Sequence, residues 1–162
     1  AAIHKLPFVF MVENNGYAYS TPTSMQFNVK DFVVRAQGYG CYGEMFDGNN
    51  VLAALDVTRR ARQRCIEGGG PVLLEAKTFR RKGHAEHDDA GYVPPELRAY
   101  WETRDPLDAY RRYLDAHRIV ESPQEIEELD ARISQLLDAA VDEALASPFP
   151  DPSTLMENVY GD

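Results

Sequence analysis

Two short stretches hold most of the residues that could do chemistry. The first is Glu13-Asn14-Asn15-Gly16-Tyr17, directly after an apolar run. The Asn15 side-chain oxygen and a nearby backbone carbonyl are hard ligands of the kind Mg²⁺ takes, and Mg²⁺ in turn holds diphosphate oxygens. Gly16 lets the chain turn back so that the Tyr17 carbonyl faces the same ion. Taken alone, Asn-Asn-Gly is most often only a turn. The second stretch is Arg80-Arg81-Lys82-Gly83-His84. Arg80 and its neighbours offer positive charge and forked donors to phosphate oxygens, and His84 can donate a hydrogen bond or shuttle a proton. For Arg81 and Lys82 individually, a solvated basic loop is the favoured reading.

Other constellations are weaker. His84-Ala85-Glu86-His87-Asp88-Asp89 invites a metal-hydrolase reading through His84 and His87, but the spacing fits neither H-E-x-x-H nor a cysteine knuckle. His4 and His117 have no chemical context and are expected at the surface. Ser20 and Ser24 lack the G-x-S-x-G elbow of a serine nucleophile, and no P-loop or G-x-G-x-x-G is present. Cys41 and Cys65 have neither metal-ligand nor redox spacing, so they read as small core residues in a reducing compartment.

The elements that must position these residues are legible in outline. Phe8–Val12, Cys41–Phe46 and Pro71–Thr78 read as strands, the first a continuous apolar run of buried type. Val51–Glu67 reads as a helix with Asn49 or Asn50 at its cap, Leu52, Leu55, Ala61 and Ile66 on its apolar face, and Gly68-Gly69-Gly70 ending it. Strand, helix, strand in that order predicts a right-handed crossover and a parallel sheet. Both candidate stretches then follow strand carboxyl ends, where open α/β sheets bind ligands. Residues 80–95 form a long loop without period, a length that is often functional. Beyond Pro95 the chain reads helical. Its clearest helix is Pro123–Ala146, with a Ser122/Glu125 capping box, Pro123 at the first helical position, and Ile126, Leu129, Ile133, Leu136, Ala140, Val141 and Leu145 on one face. The expected organisation is an α/β region over 1–95, continued in the same domain by a helical extension and tail over 96–162.

Of the 162 residues, 44% are hydrophobic and 27% charged, a globular balance. A formal net charge of -9 argues against a nucleic-acid partner. No run approaches the ~20 apolar residues of a membrane helix, and the N-terminus does not read as a signal peptide. The chain lacks an initiator Met and enters a strand within a few residues, as a fragment does, while the proline-rich segment 147–152 is expected near the native end.

Five stretches, in order, are LPFVFMVENNGYAYSTPTS, RAQGYG, DGNNVLAAL, PVLLEAKTFRRKGHAEHDD and SPFPDPSTLMENVY. Together they resemble the E1 α subunits of thiamine-diphosphate-dependent 2-oxo acid dehydrogenases, the pyruvate, branched-chain and acetoin group, across essentially the whole chain. The resemblance implies part of a thiamine-diphosphate-binding fold. It implies that Asn15 gives its side chain and Tyr17 its carbonyl to Mg²⁺. It places His84 near the cofactor diphosphate and the reacting centre, with Arg80 in the same cofactor-binding stretch. The implied chemistry is decarboxylation of a 2-oxo acid and acyl transfer to a lipoyl group on E2. The implied partners are an E1 β subunit, in an α₂β₂ heterotetramer, and the lipoyl-bearing E2. The family motif opens with Gly-Asp-Gly, which this chain lacks, so by itself the chain is expected to form an incomplete site. The family's regulatory serines are unmatched, since Ala85 follows His84 and residues 85–95 hold no serine. That favours a cytoplasmic enzyme of a bacterium or archaeon. The competing expectations are a non-catalytic assembly module that pairs with a β-type subunit and, more remotely, the hydrolase that uses His84 and His87.

Overall fold

The apolar run after Pro7 forms strand β1 (Val9–Asn14) in a computed structural model that describes residues 1–120 and 122–159. A two-stranded hairpin follows, β2 (Tyr17–Ala18) with β3 (Thr21–Pro22). Then come a short helix α1 (Arg35–Tyr39), strand β4 (Tyr42–Asp47), helix α2 (Val51–Ile66) and strand β5 (Val72–Lys77). The main sheet has the order β1-β5-β4, and both of its pairings are parallel. The α/β class and the parallel sheet expected from the strand, helix, strand sequence are therefore what forms.

The register does the positioning. Asn14 lies opposite Lys77, and Asp47 also lies opposite Lys77, so the three strands end level at one edge. Whatever follows each strand emerges side by side. Cross-links stitch this edge: Thr78 N–H donates to Asn14 O at 3.0 Å and Gly48 N–H to Lys77 O at 2.8 Å. The Thr78 hydroxyl donates to Asn49 Oδ1 at 2.7 Å.

Strand β5 is central, and Val72 through Ala76 are all buried. Helix α2 starts where its Asn50 side chain accepts the Leu52 and Ala53 N–H groups, each at 3.1 Å. It lays Val57, Ala61 and Cys65 on Val72 and Leu74, with Val9 and Phe46 at the margin. This corrects the face read from sequence. Only Ala61 of the expected stripe is buried, while Leu55 and Ile66 stay 45% and 57% exposed. The small and β-branched residues spaced four apart let the helix approach the sheet closely, which Leu at those positions would prevent. Both cysteines are free thiols; Cys65 sits in this core, whereas Cys41 is only half-buried.

Packing divides the chain into two compact units, Ala1–Ala116 and His117–Asp162. Helices α3 (Pro95–Glu102) and α4 (Pro106–Ala116) belong with the sheet. The sequence division at residue 95 marks where the loop turns helical; the break in packing comes later. Helix α5 (Pro123–Ala146) has the expected bounds, and the Glu125 carboxylate accepts the Ser122 N–H at 3.0 Å as the capping box requires. Its apolar face is left open, since no α5 residue is buried and Leu136 is 68% exposed. Among the described residues of its own unit, one helix beside a proline-rich segment supplies no second layer.

Leu74 is fully buried at the centre of this core. Leu74→Ala should lower the stability of the chain by about 2–5 kcal/mol in urea unfolding. A loss under about 1 kcal/mol would mean that α2 does not close the sheet as described.

Candidate functional site

Two backbones leave the sheet edge together: the turn after β1 and the segment after β5. In the turn, Gly16 adopts φ +85°, a left-handed conformation that a side chain would strain. The Asn15 Oδ1 accepts the Tyr17 N–H at 3.1 Å, and Gly16 O accepts the Thr23 N–H at 2.8 Å. Opposite Tyr17 in the hairpin lies Pro22, and the Thr23 bond to Gly16 O makes the two a non-hydrogen-bonded pair, so the Tyr17 carbonyl is directed away from the partner strand. The Tyr17 ring is fixed edge-on to Phe79 with 6.1 Å between centroids and lies 5.6 Å from Tyr92. Phe79 in turn stacks on Trp101 of α3 at 5.6 Å.

The second segment is tied to the first by Arg80, whose N–H donates to Asn15 O at 3.2 Å. Its guanidinium organises the loop. Nη2 donates to Tyr19 O at 2.6 Å and to the Tyr92 hydroxyl at 2.5 Å, and Nε donates to Lys82 O at 3.2 Å. Nη1 stands 3.3 Å from His84 Nδ1. A guanidinium only donates, so for this contact to be a hydrogen bond Nδ1 accepts and the ring proton sits on Nε2. The His84 ring also lies 5.2 Å from the ring of Tyr19, a residue held at φ +51°. Strained backbone at a non-glycine residue marks a place that its surroundings over-determine.

Asp88 closes the network. Its Oδ2 accepts the His84 N–H and the Tyr92 hydroxyl, both at 2.7 Å, and its Oδ1 accepts the Ala90 N–H at 2.9 Å. The His84 N–H, then the Tyr92 hydroxyl and the Ala90 N–H, push the Asp88 carboxyl down to about 2. Tyr92 is shifted upward, first by burial and then by its bond to Asp88. Arg81 does not join this cluster. It pairs with Asp105, which caps α4 by accepting the Leu107 N–H at 2.8 Å.

The structure thus brings Asn15, Tyr17, Arg80 and His84 into one stitched edge. It places nothing comparable around His87. Among the described residues no group of three or more His, Cys, Asp or Glu could hold a metal ion, so His84 and His87 lack a third protein ligand. The Asn15 and Tyr17 oxygens fit a hard divalent cation that completes its shell with other oxygens. Asn15 Oδ1 has a second lone pair beyond the one used by Tyr17 N–H, and the Tyr17 carbonyl, in a non-hydrogen-bonded pair with Pro22, points away from the partner strand.

Sequence reasoning passes over Glu75. This carboxylate is fully buried, accepts Asn14 Nδ2 at 2.7 Å on Oε1 and Val33 N–H at 2.7 Å on Oε2, and pairs with Lys77 Nζ at 2.6 Å. Lys77 also pairs with Asp31 at 2.8 Å. Burial acts to lower the Lys77 pKa, but the bonds to Asp31 and Glu75 outweigh it and the net shift is upward. The available signal is one acid after the apolar run Val72–Leu74 of a strand, with Lys77 two residues on, in PVLLEAKT.

A family model described as "Dehydrogenase E1 component" matches residues 1–153. The chain belongs to that family. It is 37% identical over 161 residues to the α subunit of an acetoin:2,6-dichlorophenolindophenol oxidoreductase of Cupriavidus necator, covering 99% of this chain and 48% of that protein. It is 35% identical to a 2-oxoisovalerate dehydrogenase subunit alpha of Bacillus subtilis, with 99% and 48% covered. Against a pyruvate dehydrogenase E1 component subunit alpha of Staphylococcus aureus it is 34% identical, with 100% and 44% covered. The chain therefore spans about half the length of these E1 relatives.

The Asp88 geometry generates a pH signature. A carboxyl lowered from 3.8 to about 2 adds order to the loop that is complete above its ordinary pKa and is lost as pH falls through the lowered one. Protection factors of the His84 and Ala90 amides in hydrogen exchange should therefore fall between pH 3.8 and about 2. Asp88→Asn should flatten that step; an unchanged step in the variant would assign it to another group.

Proposed function

We propose that this chain is part of the α subunit of a thiamine-diphosphate-dependent 2-oxo acid dehydrogenase E1, and that Asn15 and Tyr17 hold its Mg²⁺. Membership of the E1 family and the three relatives support the class of reaction, and the stitched edge supports the residues. The single observation that carries the site assignment is the turn Asn15-Gly16-Tyr17, which sits level with two other strand ends and offers a side-chain and a main-chain oxygen. When bound, thiamine diphosphate supplies the carbanion chemistry of 2-oxo acid decarboxylation, ahead of acyl transfer to lipoyl-E2.

The chain's own residues then have separable tasks. Asn15 and Tyr17 bind the cation that grips the diphosphate. Arg80 spends four donors on Tyr92, His84 and Lys82 of the loop and on Tyr19 of the hairpin, so it acts chiefly by ordering the segment beside the diphosphate. His84, whose Nδ1 stands 3.3 Å from Arg80 Nη1, is the group able to give or take a proton near the reacting centre. The missing aspartate of the Gly-Asp-Gly segment and the activating glutamate of a β subunit complete the site in an α₂β₂ assembly that also engages E2. A bacterial or archaeal cytoplasm is the proposed setting; among the described residues no helix is long and apolar enough to cross a membrane.

The reading is tested in the complete α subunit assembled with its β partner. Asn15→Ala should weaken Mg²⁺-dependent thiamine diphosphate binding by more than about tenfold in calorimetric titration, as loss of a metal ligand does. Unchanged binding would sink the metal assignment and favour an assembly module. His84→Ala should leave cofactor affinity within a few-fold and lower kcat by about 10²–10⁴, the range of a lost proton-transfer group. Full turnover in that variant would remove His84 from the chemistry.

A further inference from the structure

Glu75 raises a question that the binding residues do not answer. A carboxylate with no solvent exposure is costly, and an apolar residue of like volume is often no worse for stability. Strand alternation turns it away from Val72 and Leu74, which face α2, so it is not part of that core. All of its bonding goes to three segments. Asn14 Nδ2 comes from the end of β1, Val33 N–H from the 3₁₀ turn before α1, and Lys77 Nζ from the end of its own strand.

The Asn14 contact leads to the turn. Donation from Nδ2 to Glu75 fixes which way the Asn14 amide points, and its Oδ1 then accepts the Gly16 N–H at 3.3 Å. The next residue, Asn15, makes the matching contact from its Oδ1 to Tyr17 N–H at 3.1 Å. Two successive Asx turns therefore bend the chain through Gly16, and the first is anchored on a buried charge. Were the Asn14 amide free to rotate, an NH₂ group could face the Gly16 N–H and the first turn would open.

We infer that Glu75 is a positioning residue for the Asn15–Tyr17 turn: through Asn14 it holds the two oxygens in the spacing a divalent cation needs, without touching the cation. Its action is that of an outer partner that orients a metal ligand. The inference rests on the reading that Asn15 and Tyr17 are that ligand pair.

The test again uses the complete α subunit with its β partner. It measures the Mg²⁺ concentration for half-maximal thiamine diphosphate binding, and the unfolding midpoint without cofactor. Glu75→Gln keeps the volume but puts an NH₂ against either Asn14 Nδ2 or Val33 N–H. Asn14→Ala cuts the link while leaving Glu75 with Lys77 and Val33, so it decides the matter should Glu75→Gln not fold. Each should raise the Mg²⁺ requirement about 10–100-fold, the usual effect of losing an outer partner. The double variant should be no worse than the poorer single, because both break one connection. Glu75→Asp, which restores the charge, should recover part of the loss. A lowered midpoint with an Mg²⁺ requirement within about twofold of the parent in Asn14→Ala would overturn the inference and leave Glu75 purely structural. Asn15→Ala runs alongside. If it shifts the requirement and Asn14→Ala does not, only the positioning role fails; if Asn15→Ala itself has no effect, the metal reading fails first.

Discussion

Everything at the candidate site depends on the parallel register of β1, β5 and β4, which brings Asn14, Lys77 and Asp47 level at one edge. Parallel pairing sends all three carboxyl ends the same way, so the turn after β1 and the loop after β5 start as neighbours without any special device. The register is specified twice over. Val72 and Leu74 match the α2 face, and Glu75 matches Asn14 and Val33 on the other. A slip by one residue would turn Glu75 toward Val57, Ala61 and Cys65 and strip it of every partner. Burying an acid in the central strand therefore acts against the wrong pairing as well as for the right one.

The loop from Arg80 to Tyr92 is held by a different kind of force. Buried apolar side chains are few there, and polar bonds converge on Arg80 and Asp88 instead. A charge-assisted network of this kind can order a segment that has little hydrophobic surface, but it gives way as a unit when one member is lost. It also ties backbone to function. The same guanidinium that meets His84 donates to Tyr19 O, and its main-chain N–H meets Asn15 O. A change anywhere in the loop should be felt at the turn.

Much of this was legible in the sequence where the signal is local. The apolar runs before Asn15 and Arg80 announce strands, the strand, helix, strand order announces parallel pairing, and Ser122, Pro123 and Glu125 set the start of α5. Asn15, Tyr17, Arg80 and His84 stand out as candidates by residue type, position after strands and family resemblance. What stayed hidden is non-local. The buried face of α2 is chosen by what the sheet accepts, so Val57, Ala61 and Cys65 win over larger Leu55 and Ile66. Glu75 reads as one acid in a strand until Asn14, sixty-one positions away, is seen to donate to it. The partition of the basic run is hidden too: Arg80 turns inward to Tyr19 and Tyr92, whereas Arg81 reaches Asp105 at the cap of α4. An apolar face on α5 was plain, but a pattern says only that a face can be buried, not that its own unit supplies the layer.

The most direct test of the central claim is a crystal structure of the complete α subunit with its β partner, Mg²⁺ and thiamine diphosphate. The account predicts the cation at about 2.0–2.1 Å from both Asn15 Oδ1 and the Tyr17 carbonyl oxygen, the usual Mg²⁺–oxygen distance. A cation held by other groups, with the Asn15 turn standing free of it, would contradict the account.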